Sequence, residues 1–184
     1  DVRYTYIDGV LISDHGKIDI EYSHSKTVNN FNIEKISTDD IKIKAESKNL
    51  NVIECLDGQL ITNLVNSQTK DSEGFAVSNV DNDVLKMVVV NRYEQQKPAI
   101  AFIKNFNLKE GAIASCVGHD SHNIIAVGVD DLSITKAINL IIDNKGGISA
   151  ISKTDEGVLD LPIAGIMTDK NAYEVGELYG KLDK

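Results

Sequence analysis

Tryptophan is absent and proline occurs only twice in the 184 residues, which leaves no room for a long Pro-rich linker. Cysteine is equally scarce. Cys55 and Cys116 stand far apart, a pattern that fits neither a disulfide-dense secreted scaffold nor a paired zinc knuckle. It predicts two reduced thiols and a cytoplasmic location. No apolar run approaches the roughly 18 residues of a membrane-spanning helix, and the opening Asp1-Val2-Arg3-Tyr4 has no signal-peptide character. Positive charge is also short: 19 basic side chains face 28 acidic ones, for a net charge of -9. That balance argues against a nucleic-acid partner. The chain is too short for a complete (β/α)₈ barrel, which takes about 250 residues. Asp1 is not an initiator methionine, so the chain is expected to be a piece of a longer one.

What is abundant is β-branched. Isoleucine (23) and valine (16) outnumber leucine (13), and such side chains pack well on a pleated surface. A sheet should therefore carry most of the core. Val2 to Ile7, Val10 to Ser13 and Lys17 to Tyr22 read as a meander, turned at Asp8-Gly9 and Asp14-His15-Gly16. The polar stretch Ser23 to Asn32 marks a boundary, giving domains 1–25 and 26–184. Asp40 to Glu46 alternates like an edge strand, Asp57-Gly58 signals a hairpin between Leu50–Cys55 and Gln59–Val65, and Asn66 to Gly74 reads as a loop. Asp83–Arg92, Ala99–Phe106, Gly111–Val117 and Asn123–Val129 are apolar runs of buried-strand character.

Helical periodicity is clearest after Asp130-Asp131, where Ile134, Ala137, Ile138, Ile141 and Ile142 recur at i, i+3, i+4, i+7 and i+8 up to Gly146. Ile148 to Ser152 and an arm within Asp155 to Gly165 add strands. Thr168 or Asp169 would cap a terminal helix containing Ala172, Val175, Leu178, Tyr179 and Leu182. The fold class is α+β (mixed α/β): a β-rich core sheet with a few helices, preceded by a short β meander, and no TIM barrel in this chain.

Chemistry concentrates in Gly118-His119-Asp120-Ser121-His122-Asn123, which holds two of the four histidines and lies between two apolar strands. Rigid strands would present these donors, acceptors and titratable groups at a sheet end. A plain polar turn, whose Asp and Asn satisfy local backbone groups, is the competing reading. His119, Asp120 and His122 are the candidate support or lid residues of an active site, with Ser121 and Asn123 as substrate-binding candidates. Their spacing suits a metal site on a helix face rather than on a strand or loop, and His15 and His24 are remote, so no metal is expected on this chain alone. Cys116 reads as a filler of a small apolar space, Ser115 and Ser121 lack a nucleophile elbow, and Lys145-Gly146-Gly147 follows a helix rather than leading into one. Arg92 and Tyr93 are pocket or interface candidates without an assigned role.

The run Ala101-Phe102-Ile103-Lys104-Asn105-Phe106-Asn107-Leu108-Lys109-Glu110-Gly111-Ala112-Ile113-Ala114-Ser115, then Val117 and His119-Asp120-Ser121-His122-Asn123-Ile124-Ile125, resembles the C-terminal domain of the prokaryotic adenine deaminases, members of the metal-dependent amidohydrolase superfamily. Leu161-Pro162-Ile163-Ala164-Gly165-Ile166-Met167 resembles a later segment of that family. Val10-Leu11-Ile12 with its flanking turns resembles the end of its composite β domain. Cys116, Gly118, Asn105 and Asn107 depart from the residues expected at those places. The resemblance implies hydrolytic deamination of adenine to hypoxanthine and ammonia, with a binuclear manganese or iron centre held by an amidohydrolase barrel that this chain does not contain. It implies that the isolated chain is inactive, that the barrel and adenine are its partners in the full-length enzyme, and that a homo-oligomer forms. It also implies purine salvage, and richness in Ile, Lys and Asn points to an AT-rich bacterial genome. A non-catalytic oligomerisation module, with Val84 to Val90 packing across an interface, or a purine-sensing module is the rival reading.

Overall fold

The structure, a computed structural model, describes residues 2–20 and 27–183. Three short antiparallel strands, β1 (Tyr4–Ile7), β2 (Val10–Asp14) and β3 (Lys17–Ile18), form the meander expected from its two turns, and among the described residues they pair with no other strand. The expected boundary near residue 25, and the end of the third strand at Tyr22, lie outside the described residues.

The main body is an eight-stranded sheet. Its strands are β4 (Asn49–Cys55), β5 (Thr62–Gln68), β8 (Val84–Val90), β9 (Ala99–Lys104), β10 (Ala112–Ser115), β11 (Ile124–Gly128), β12 (Gly147–Ile151) and β13 (Glu156–Asp160), in spatial order β13-β12-β10-β11-β8-β9-β4-β5. Only β4 and β9 run parallel, with Ile53 opposite Ile103. Two small strands, β6 (Lys70–Ser72) and β7 (Phe75–Val77), pair separately. The α+β class holds: a large, mostly antiparallel sheet with two helices, and no barrel among the described residues.

Helix α1 (Asp131–Asp143) lies across β10, β11 and β12. The Asp130 side chain caps it by accepting from the Ser133 N–H at 2.8 Å. Its Ile134, Ala137, Ile138, Ile141 and Ile142 are buried, and each buried isoleucine contributes about 2 kcal/mol of transfer free energy. The helix ends where Lys145 and Gly146 turn left-handed (φ 57° and 135°), and the Gly146 N–H caps the Ile141 carbonyl at 3.0 Å. Opposite α1 in the same core lie Val88, Val90, Ala112, Ala114, Cys116, Ile124 and Ala126, one alternate set of side chains from three adjacent strands.

An extended segment completes that seal. Phe31, Ile33, Ile36 and Ile41 join the core beneath α1, and Asn139 clasps Ile36 from both sides, accepting from its N–H at 3.0 Å and donating to its carbonyl at 2.9 Å. The other sheet face is partly bare: Ile113 is 41% exposed and Val117 is 44% exposed. Helix α2 (Ala172–Leu182) contacts β13 and has no buried residue.

Three expected elements differ. Asp40–Glu46 is not an edge strand: the Ser37 N–H and Oγ both bond Asp40 Oδ2 at 2.7 Å, closing a 3-10 turn (Thr38–Ile41) that drops Ile41 into the core and leaves a lone Lys44–Phe75 bridge. Asn66–Gly74 is not a loop, because β5 continues to Gln68 and β6 turns at Glu73-Gly74 into β7; its polar residues are those of exposed strands. The cap of α2 is Asn171, accepting from the Tyr173 N–H at 2.9 Å, rather than Thr168 or Asp169. The Val84–Val90 run is an interior strand whose buried side chains are used within the chain itself.

Within that run sits Lys86, which is fully buried. Its ammonium donates to Asp131 Oδ1 at 2.6 Å and to the Ile41 carbonyl at 3.2 Å, tying β8 to the start of α1 and to the 3-10 turn. Asp131→Ala leaves a buried ammonium with one carbonyl partner and should cost about 3 kcal/mol. Lys86→Met leaves a carboxylate that is 23% exposed and reachable by water, so it should cost less. Urea unfolding of both variants checks the order, and the reverse order would contradict this account.

Candidate functional site

The candidate loop connects β10 to β11, two interior neighbours of the sheet. Ala114 pairs with Ala126 and Ser115 with Ile125, while β11 is held on its other edge by β8, Ile124 opposite Val90. Both stems are therefore fixed by ladders before the loop begins. Within the loop, the His122 N–H bonds the Gly118 carbonyl at 3.0 Å and the Ser121 N–H bonds the His119 carbonyl at 3.2 Å. Asp120 (φ 70°) and His122 (φ 49°) occupy the left-handed region, where a side chain other than glycine's is uncommon.

These two turns divide the candidate residues. His119 and Asp120 stand at the tip with side chains 94% and 89% exposed, His119 Nδ1 lying 2.9 Å from Asp120 Oδ1. Fully solvated, such a pair adds little stability. Ser121 is exposed as well, whereas His122 and Asn123 are half-buried. His122 Nδ1 and Asn123 Oδ1 have no hydrogen-bond partner among the described residues. The loop thus holds two groups, an outward His119–Asp120 pair and an inward His122–Asn123 pair.

Arg92 and Tyr93 come to this loop. The Tyr93 hydroxyl lies 3.0 Å from the Ser121 carbonyl and 3.0 Å from Arg92 Nη2. The guanidinium, with Arg92 only 4% exposed, rests near the Phe31 ring (5.7 Å) and the Tyr93 ring (4.6 Å), with Asn29 Oδ1 at 3.3 Å. Gly165 closes the slot from behind: a Cβ there would sit 2.0 Å from Arg92 Nη1, and its φ of +77° suits glycine.

On the bare face of the sheet, a groove of about 310 Å³ runs between Phe106 and Ile113 at one end and Val117 and Gly118 beside the loop, floored by Ile125 and Ile148. Periodicity places all of these residues except Gly118 on strands but does not show that this face stays open. A wider depression of about 880 Å³ lies at the opposite end of the sheet, between Asp57-Gly58 and Asn105–Asn107. There Asp83 accepts from the backbone N–H groups of Asn105 (2.7 Å) and Asn107 (2.8 Å), which accounts for the left-handed turn both residues take.

Among the described residues no three His, Cys, Asp or Glu side chains are grouped to hold a metal ion. His15 sits in the meander and His24 lies outside the described residues. The donor set here does not fit a binuclear centre, and no chemical step through a metal is assigned to these side chains.

Cys116 braces the root of the loop. Its thiol donates to the Gly165 carbonyl at 2.6 Å and accepts from the Gly147 N–H at 3.1 Å. Burial pushes the thiol's pKa up, against the Gly147 bond and the nearby Arg92 charge, so it stays protonated and unreactive. Iodoacetamide should therefore alkylate Cys55 in the native chain and reach Cys116 only on unfolding, as read by mass spectrometry. Equal labelling of both in the native state would show that this end of the sheet opens.

Comparison with known proteins bears on the whole arrangement. The family described as adenine deaminase C-terminal domain matches residues 59–184, from the β4–β5 turn to the end of the chain. Adenine deaminase of Salinibacter ruber is 42% identical over 98% of this chain and 33% of its own length. That of a Sulfurovum species is 45% identical over 100% of this chain and 33% of its own length, and that of Methanosarcina acetivorans is 40% identical over 100% and 35%. The chain thus spans about a third of the length of these relatives. With the family match covering the loop, both of its stem strands and both helices, the chain belongs to the adenine deaminase C-terminal domain family.

Proposed function

We propose that this chain acts as the C-terminal portion of a hydrolytic adenine deaminase, in which water adds at C6 of adenine and ammonia leaves to give hypoxanthine. The observation that carries the reading is a loop mounted on two interior strands that holds a His–Asp pair fully in solvent, within a domain that makes up about a third of relatives named adenine deaminases. In this proposal the loop borders the adenine site as a lid or supporting edge. His119, beside Asp120, meets the purine or the groups that bind it. Ser121 and Asn123 supply hydrogen bonds, and His122 backs them from the sheet side.

The manganese or iron binuclear centre belongs, in this reading, to an upstream barrel, where a metal lowers the pKa of bound water. The residues of this chain then exclude bulk water and hold polar groups at the substrate's edge. A cytoplasmic, bacterial enzyme of purine salvage that works as a homo-oligomer fits the same reading. No helix among the described residues is long and apolar enough to cross a membrane.

The open apolar groove favours a second reading, in which this face serves assembly. A stable oligomer of the isolated chain in light scattering supports that reading, and a monomer favours docking onto the upstream part. Binding of adenine or hypoxanthine to the isolated chain in calorimetry would instead support purine sensing.

Mixed with adenine and Mn²⁺, the isolated chain should release no ammonia, and robust turnover would overturn the proposal. In an intact deaminase carrying this domain, His119→Ala should lower kcat or raise KM by about tenfold, the scale of one lost charge-assisted hydrogen bond. Wild-type kinetics in that variant would leave the loop a structural role alone.

A further inference from the structure

We infer that Arg92 and Tyr93 are positioning residues that hold the 118–123 loop in its working shape; the inference rests on the loop's assignment to the deaminase site. Hydrogen-bond direction carries the argument. A guanidinium has donors and no acceptor, so the Arg92 Nη2 contact at 3.0 Å obliges the Tyr93 oxygen to accept. The single hydroxyl proton of Tyr93 is then committed to its other contact, the Ser121 carbonyl at 3.0 Å. The relay has one sense, from guanidinium to phenol to loop backbone. It grips Ser121, the residue between the left-handed Asp120 and His122.

Position supports the same conclusion. The β8–β11 register sets Ile124 opposite Val90, and continuing it places Asn123, His122 and Ser121 across from Asn91, Arg92 and Tyr93. The relay therefore bridges the first residues beyond the ladder, where strand pairing no longer constrains the loop.

The cost of the arrangement is also informative. A buried guanidinium is expensive to desolvate, and an apolar side chain would fill the same slot against Phe31. Arg92 is nevertheless 4% exposed, and its Nε is buried without a hydrogen-bond partner among the described residues. Gly165 keeps the backbone clear of Nη1, and Cys116 pins Gly165 in turn. What the charge supplies that an apolar residue cannot is a pair of donors, one to Asn29 Oδ1 at 3.3 Å and one that sets the direction of the Tyr93 hydroxyl.

Tyr93→Phe removes only the hydroxyl and leaves the ring packed on Arg92, so folding should survive even where Arg92→Met does not. In this chain, amide exchange over 118–123 should quicken by about tenfold in Tyr93→Phe, the scale of one lost hydrogen bond, with exchange in α1 unchanged. In an intact deaminase carrying the domain, the same change should lower kcat on the order of ten- to a hundredfold, the penalty for misplaced groups, with KM nearly unaltered. Because Tyr93 acts through the loop that carries His119, Tyr93→Phe with His119→Ala should lose less rate than the product of the two single losses.

Unchanged loop exchange in Tyr93→Phe would overturn the inference, and so would a multiplicative loss of rate in the double variant. Faster loop exchange in Tyr93→Phe with normal kinetics in His119→Ala would support the clamp while sinking the loop's assignment to the deaminase site. The two claims can therefore fail separately.

Discussion

Strand β11 is laddered on both edges, to β10 and to β8, and the geometry at the candidate site descends from that double pairing. The β10 ladder brings the far stem of the loop to a fixed place, and the β8 ladder brings Arg92 and Tyr93 beside it. Helix α1 presses the same strands from one side with a face of isoleucines, so neither ladder can slip without exposing the core. A slip of one residue would also invert the strand, turning Ile124 and Ala126 outward. Loop precision is thus inherited from apolar packing several residues away.

The two sheet faces are treated differently, and that asymmetry organises the rest of the molecule. One face is sealed by α1 and by the extended segment through Phe31, Ile33 and Ile36, with the Lys86–Asp131 pair fastening the start of the helix. The other carries Ile113 and Val117 in the open and a groove that leads to the loop. Burying the bare strip would contribute favourable free energy to any contact.

Much of this is legible in the sequence. The apolar runs of β8 to β12 and the 3.6-residue period of α1 are strong signals because the packing they encode is regular. The loop at 118–123 was legible as a place, since polar residues between buried strands must lie at a sheet end. Its division was not: His119 points out and His122 in because Asp120 and His122 turn left-handed, and nothing in residue type dictates that. Arg92 and Tyr93 stood out but had no role, because their contact with Ser121 depends on register between strands distant in sequence. The Ile33–Ile36 segment is not legible as core because it is neither helix nor strand and has no period to read; it packs against the apolar face of α1 and is fastened there by Asn139 at Ile36. Asp40–Glu46 alternates like a strand, but the Ser37–Asp40 bonds turn the chain first. Lys86 gives no hint of burial until Asp131 is brought beside it.

Family membership assigns the domain, and the geometry shows which groups of the loop face outward. The most direct measurement is a crystal structure of an intact adenine deaminase carrying this domain with a purine bound. The account predicts that the counterparts of His119 and Asp120 lie at the substrate site, with at least one of them within hydrogen-bond reach, about 3 Å, of the purine or of a side chain that holds it. A loop found in open solvent, or turned away from the purine with the bare sheet face toward the reaction, would contradict it.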